Sequence, residues 1–291
     1  EAVLDQIAAG RLDVASLITH RHPLDDAPTA YDVLVEAATA LGIVLEYPER
    51  EVDQRATSPL TVQPVAPASG GTRAATGRVG VIGAGSYASQ VLLPALRDAG
   101  AVIDTIVARR GTTAAVAAEA FGAAGAASDD AAVLDEPSID TVVVATRHDS
   151  HAGYVERALR AGKHVFVEKP LAITEEQLAD VRACLDEVAA EGRPVPLLGI
   201  GFNRRFAPVT RRMRELLDGH DGPMAVTLTM NAGAIPADHW TQDPAVGGGR
   251  LVGEACHLVD LARHLVGAPI VDVATTVMGG PGPADTASVT L

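Results

Sequence analysis

The feature that most limits what this chain can fold into is a short glycine turn. It reads Gly83-Ala84-Gly85-Ser86-Tyr87-Ala88, after the apolar run Arg78-Val79-Gly80-Val81-Ile82 and before a segment, 89–99, that patterns as a helix. Strand, glycine turn and helix in that order place a helix N-terminus, with its unpaired amides, where an anion can bind. This context raises G-x-G-x-x-G above a chance match. Gly83 permits the tight turn, and Gly85 lets the backbone approach a pyrophosphate. Ala88 stands for the third glycine, because a small side chain suffices where the helix meets the strand. The amides of residues 86–89 are expected to face the anion. The plainer alternative is a glycine-rich βα turn with no ligand.

The alternation continues along the chain. Strands are expected at 101–108, 139–146, 164–167 and 196–201, and helices at 113–121, 150–161 and from the capping box Thr174-Glu175-Glu176-Gln177 to about residue 192. Strands joined by crossover helices imply a parallel sheet covered on both faces. Beyond it, strands at 225–231 and 270–278 flanking a helix at 250–266 suggest an α+β domain. The fold class is therefore α/β, a doubly wound Rossmann sheet plus an α+β C-terminal domain with an open, incomplete sheet.

Upstream, residues 1–56 pattern as a helix at 2–9, a strand at 16–19, a second helix capped by Asp25 or Asp26 and running to about residue 41, and a strand at 42–47. The Pro/Gly/Ser-rich stretch 57–77 reads as a linker. The expected domains are thus 1–56, 78–195 for the dinucleotide and 196–291 for substrate and oligomer contacts. The chain starts without Met and stops inside a strand-like run, so both ends read as cut from a longer polypeptide.

Composition narrows the function classes. Apolar residues make up 47% but aromatics only 3%, so the core must be built from Ala, Val, Leu and Ile. A net charge of −14 opposes the basic surface that nucleic acid requires. No apolar run approaches the ~20 residues of a membrane span, and the charged start is no secretory signal. A cytoplasmic location is expected. Cys184 and Cys256 lie too far apart to suggest a disulfide framework or a zinc knuckle.

An NAD-specific site would end its second strand in a carboxylate for the ribose. Here that strand ends Val107-Ala108-Arg109-Arg110-Gly111, and Asp104 sits too early to reach the carboxyl edge. Two guanidiniums at the ribose position favour a 2′-phosphate, hence NADP(H), with NAD(H) as the alternative. The other reading is that both arginines face solvent.

Five motifs in order then carry a family resemblance. They are Val81-Ile82-Gly83-Ala84-Gly85-Ser86-Tyr87-Ala88, Ala145-Thr146-Arg147-His148-Asp149-Ser150-His151-Ala152, and 161–170 ending Glu168-Lys169-Pro170, followed by Gly201-Phe202-Asn203-Arg204-Arg205-Phe206 and 247–257 ending Glu254-Ala255-Cys256-His257. Over residues 78–291 the chain resembles the glucose–fructose oxidoreductase/inositol dehydrogenase/rhizopine-catabolism (Gfo/Idh/MocA) family. The resemblance implies that Lys169 holds the substrate hydroxyl beside the nicotinamide and that His257 is the acid/base group. It also implies that Thr146, His148, His151 and Glu168 line the cofactor. The family usually carries Asp four residues before that histidine. Here Gly253 stands there, and Glu254, which at i and i+3 shares a helical face with His257, is the candidate replacement. Asn203, Arg204 and Arg205 are candidates for an acidic or phosphorylated substrate, or equally for ion pairs at a domain interface. A zinc site from Glu254, Cys256 and His257 is geometrically poor, because adjacent residues point apart.

Residues 1–56 resemble something else. Gly10-Arg11-Leu12-Asp13-Val14, the stretch 17–27 and Ala30-Tyr31-Asp32-Val33-Leu34 are similar to the C-terminal tail of zinc-type medium-chain alcohol dehydrogenases, which implies no zinc ligand at His20 or His22.

The expected activity is hydride exchange between NAD(P) and a secondary hydroxyl or carbonyl of a sugar-like polyol, by a homo-oligomer with no nucleic-acid or membrane partner. The alternatives are transient oxidation during glycoside cleavage or epimerisation, and a cofactor-binding sensor or scaffold without turnover, which Gly253 would favour.

Overall fold

A computed structural model describes residues 6–7, 9–36, 40–47, 61–62, 77–220, 222–278 and 286–291. The chain divides into two units, Glu1–Ser58 and Pro59–Leu291.

In the first unit, β1 (Ile18–Pro23) and β2 (Gly42–Glu46) pair in parallel, and α1 (Ala27–Glu36) makes the crossover that parallel strands need. The strand expected at 16–19 begins later. The Asp13 carboxylate accepts the Ala15 amide at 2.8 Å and starts a 3-10 turn over Ala15–Leu17. Most of the helix expected at 2–9 lies outside the described residues.

The second unit holds β3 (Thr61–Val62), β4 (Arg78–Ile82), β5 (Val102–Val107), β6 (Gly125–Ala127), β7 (Thr141–Val144), β8 (His164–Val167) and β9 (Leu198–Ile200) in one sheet, ordered β3-β6-β5-β4-β7-β8-β9. The six strands β4 to β9 run parallel, and β3 adds an antiparallel edge. Reading outward from β4, this is the doubly wound order, with its switch point between β4 and β7. Helices α2 (Leu93–Asp98), α3 (Gly111–Phe121), α4 (Ala131–Leu134), α5 (His151–Arg160) and α6 (Glu175–Ala190) connect the strands.

Both faces are dry. Val81, Ile103 and Ile106 pack with Leu93, Ala114 and Ala117 on one side, while Val142, Val144 and Val167 pack with Val155, Leu159 and Val188 on the other. Alanines on α3 let it lie close to the sheet, so the core manages with few aromatics. At the start of α6 the Thr174 hydroxyl accepts the Gln177 amide at 3.2 Å, and the Gln177 side chain accepts the Ile173 amide at 2.9 Å.

Beyond β9 come α7 (Pro208–Leu217), α8 (Cys256–Val266) entered through a π turn at Leu251–Ala255, and the antiparallel pair β10 (Ala274–Met278) and β11 (Thr286–Thr290). Four expectations change. Residues 225–231 form no strand, since no neighbour pairs with them among the described residues. The stretch read as a linker lends Thr61–Val62 to the sheet, opposite Ala127 and Ala126. β6 was unexpected because Gly125-Ala126-Ala127 has weak strand preference and is recruited by its neighbours. α7 was unexpected too; it opens with Pro208 in its first turn, where proline is tolerated.

Candidate active site at the carboxyl edge of the sheet

The glycine turn leaves the carboxyl end of β4. The Gly83 amide donates to the Val107 carbonyl at 2.8 Å, and its φ of +104° suits only glycine. Gly85 differs in kind: a Cβ there meets nothing within 4 Å, so open space faces the backbone, as the approach of a phosphate requires. Ala88 is buried where helix meets strand. The donor set is smaller than 86–89, because the Ser89 amide already donates to the Gly85 carbonyl at 2.9 Å. The amides of Ser86, Tyr87 and Ala88 remain in the unpaired first turn. A groove of about 490 Å³ opens beside it, lined by Ala84, Ser89, Thr112 and Thr113 among others.

Arg109 and Arg110 lie exposed past the end of β5, and neither pairs with a carboxylate among the described residues. Asp104 is buried within β5, held by the Arg78 guanidinium and by the Thr105 hydroxyl at 2.9 Å. It does not reach the carboxyl edge.

At the ends of β7 and β8, the Thr146 and Ser150 hydroxyls are 2.7 Å apart. His151 is fully buried, with Nδ1 2.7 Å from the Pro170 carbonyl and Nε2 3.2 Å from the Thr146 carbonyl. Burial pushes its imidazole below the ordinary histidine range, against the pull of both carbonyls, so the ring is neutral and the shorter contact takes its one N–H. The His151 Nδ1–H thus ties the segment after β8 to the start of α5, and Nε2 lies against the Thr146 carbonyl. Glu168 is raised by burial, with the Lys169 backbone amide and charge opposing. Gly201 makes room for it, since a Cβ there would stand 2.8 Å from Glu168 Oε1. Tyr87 accepts from Asn203 Nδ2 at 3.1 Å, and burial, then the Glu168 charge, push its phenol upward.

Lys169 lies at the centre. Its ammonium donates to the Gly253 carbonyl at 2.6 Å and to Glu254 Oε1 at 3.0 Å, with the side chain only 15% exposed. The other Glu254 oxygen lies 3.6 Å from the Arg204 guanidinium. Burial alone would raise the Glu254 carboxyl, but Lys169, His257 and Arg204 outweigh it and hold it below the usual range. A chain of neighbours, Tyr87, Asn203, Arg204, Glu254 and Lys169, therefore runs from the glycine turn to the lysine. Arg205 goes elsewhere: it forms a bidentate pair with Asp260 of α8, at 3.0 Å for Nε, and so joins elements within the unit.

His257 is buried on the first turn of α8. Burial, then the charges of Lys169 and Arg204, lower its imidazole to about 4, so it is neutral at pH 7. Its Nδ1 is buried without a hydrogen bond, and the ring is set instead by Phe202, edge-on at 6.1 Å. Cys256 next to it is pushed up to about 11 by burial. No group of three metal-ligating side chains converges among the described residues, and no described helix is long and apolar enough to cross a membrane.

The sequence reading missed one partner set. Trp240 sits edge-on to His148 at 4.9 Å with the Arg147 guanidinium 5.5 Å from its ring, and His148 Nδ1–H donates to the Gly247 carbonyl at 2.8 Å. Its one signal was that Trp240 is the chain's single tryptophan.

Residues 77–194 match the NAD-binding Rossmann fold of an oxidoreductase family, Gfo/Idh/MocA, and residues 221–291 match that family's C-terminal alpha/beta domain. Inositol 2-dehydrogenase 2 of Saccharopolyspora erythraea is 38% identical over 205 residues, covering 67% of this chain and 56% of that protein. A levoglucosan dehydrogenase in complex with NADH and levoglucosan is similar at TM-score 0.59 and 26% identity, over 72% of this chain and 60% of its own. A 3-ketoreductase from Actinomadura kijaniata in complex with NADP and TDP-benzene is similar at TM-score 0.54 and 28% identity, over 68% of this chain and 59% of its own. The chain thus spans 56–60% of the length of these relatives.

Proposed function

The chain belongs to the Gfo/Idh/MocA oxidoreductase family, and from that premise we propose that it exchanges a hydride between a nicotinamide cofactor and a secondary hydroxyl or carbonyl of a sugar-like or polyol substrate. The observation that carries the reading is the run of neighbours from Tyr87 on the glycine turn, through Asn203, Arg204 and Glu254, to Lys169. It supports a role for the Lys169 cation at the nicotinamide end of a dinucleotide seated on that turn, with the neutral His257 imidazole as its acid/base partner. The turn fits such a cofactor because of the open space in front of Gly85.

In the oxidative direction the Lys169 ammonium would hold the hydroxyl oxygen, and neutral His257 would take the hydroxyl proton. A bound nicotinamide would supply the hydride acceptor, while Lys169 and His257 account for the oxygen and its proton as the carbonyl forms. Glu254 takes the place of the absent aspartate by pairing with Lys169. Lys169→Ala and His257→Ala are each expected to lower kcat by about 100-fold or more on an accepted polyol, followed by nicotinamide absorbance. Wild-type turnover in either variant would overturn the assignment. A protein that binds the cofactor but turns over nothing in a polyol panel would instead be a sensor, the reading that Gly253 favours.

For the cofactor we infer NADP(H) over NAD(H), because Arg109 and Arg110 are exposed at the ribose edge while Asp104 is engaged by Arg78. Thr146, His148 and Glu168 would line the nicotinamide end. Residues 1–56 we read as an alcohol-dehydrogenase-like tail, on the motif resemblance alone. A homo-oligomer is the assembly we expect, to be measured by analytical ultracentrifugation.

A further inference from the structure

Gly253 stands where two interactions meet. On one side, a Cβ built there would lie 3.1 Å from His148 Cε1 and 3.6 Å from its Nδ1, so the imidazole occupies the volume a larger side chain would need. The ring has little freedom to withdraw. Its Nδ1–H donates to the Gly247 carbonyl at 2.8 Å, Trp240 meets it edge-on at 4.9 Å, and the neighbouring Asp149 amide donates to the Val246 carbonyl at 3.0 Å. On the other side, the Gly253 carbonyl accepts the Lys169 ammonium at 2.6 Å, and the next residue supplies the carboxylate at 3.0 Å. Both acceptors of Lys169 therefore sit on the π turn that rests against His148, and π turns are frequent at functional sites.

We propose that His148 is a positioning residue for Lys169, acting through the Gly253 backbone, and that residue 253 is glycine because the imidazole takes the space of its side chain. The proposal deepens the hydride-transfer reading, on which its kinetic readout rests. Burial keeps His148 below the ordinary histidine range, against the bond to Gly247, so a neutral ring rather than a second cation faces the lysine.

The test compares Gly253→Ala, His148→Ala and the double variant in the full chain. An added methyl at 253 must displace the ring or the peptide, and each single variant is expected to lower kcat about tenfold. Because both act through one contact, the double variant should fall short of the product of the two losses by about fivefold. Lys169, with its acceptors displaced, should react faster with an amine-acylating reagent at fixed pH in both single variants, read by mass spectrometry. NADPH affinity of Gly253→Ala, read by fluorescence, should change less than about threefold, since the phosphates lie on the glycine turn. Should His148→Ala fail to fold, His148→Asn keeps a donor for the Gly247 carbonyl and serves as the background for Gly253→Ala. Losses that multiply, unchanged acylation in both single variants, or NADPH affinity of Gly253→Ala falling in step with its kcat would each overturn the proposal. The acylation readout needs no turnover, so an inactive wild-type protein would refute the functional reading and leave this one standing.

Discussion

Two glycines of the same turn are expected to respond to alanine with opposite signs. At Gly83 the new Cβ would stand 2.4 Å from the Ala145 carbonyl oxygen, and φ is +104°. That conformation costs an L-residue about 1–2 kcal/mol. The clash adds about 1–3 kcal/mol, because its target is backbone held by the Ala145 amide's bond to the Ile82 carbonyl at 2.8 Å. Gly83→Ala should therefore lose about 2–5 kcal/mol, a fall in Tm of about 4–20 °C for a unit of this size. At Gly85 nothing lies within 4 Å of the Cβ, and the residue has no positive φ. Gly85→Ala should be neutral or stabilising by about 0.4–1 kcal/mol, through loss of unfolded-chain entropy. Its methyl enters the space reserved for the pyrophosphate, so NADPH affinity should drop about tenfold or more. The assays are calorimetric Tm and NADPH fluorescence titration on both variants. A Gly85→Ala protein that binds NADPH like the wild type would refute the assignment of the turn. An unshifted Tm in Gly83→Ala would refute the steric account.

Other perturbations test separate links. His257 titrates near 4 in the folded chain against 6.5 unfolded, so the unfolded chain binds the extra proton between these values. Stability from this group is present above about pH 6.5 and lost as pH falls toward 4, by up to about 3 kcal/mol. Urea midpoints across that window should fall less steeply in His257→Gln, and equal slopes would refute the assignment. Breaking the Arg205–Asp260 pair with Asp260→Asn should cost about 2–3 kcal/mol, less than a fully buried pair because Arg205 is 35% exposed. A chemical-denaturation midpoint equal to the wild type would show the pair to be idle. Replacing Arg109 and Arg110 together by serine should weaken NADPH at least about tenfold more than NADH, measured by titration. Equal losses would defeat the NADP(H) preference.

The signals legible in the chain were local ones. The glycine turn after an apolar strand, the Thr174 cap and the βα alternation each involve residues within a few positions of one another, so backbone preference and side-chain period suffice to place them. The same locality explains why Lys169 was expected at a strand's carboxyl end. Distant contacts were decided by packing. β6 exists because β5 and the edge residues Thr61 and Val62 pair with it, although its Gly-Ala-Ala sequence has weak strand preference. The expected strand at 225–231 lacked any such partner among the described residues. Arg204 and Arg205 are neighbours in sequence yet separate in role, one toward Glu254 and the other locked to Asp260. The Gly253 carbonyl reaches Lys169 across 84 positions, and the Gly247 carbonyl reaches His148 across 99. The sequence by itself thus determined a dinucleotide-binding turn on a parallel sheet, because those choices are made by short-range sterics and hydrogen bonding. Only the tertiary structure decided what stands beside Lys169, because a missing side chain at 253 acquires meaning from the ring packed against it.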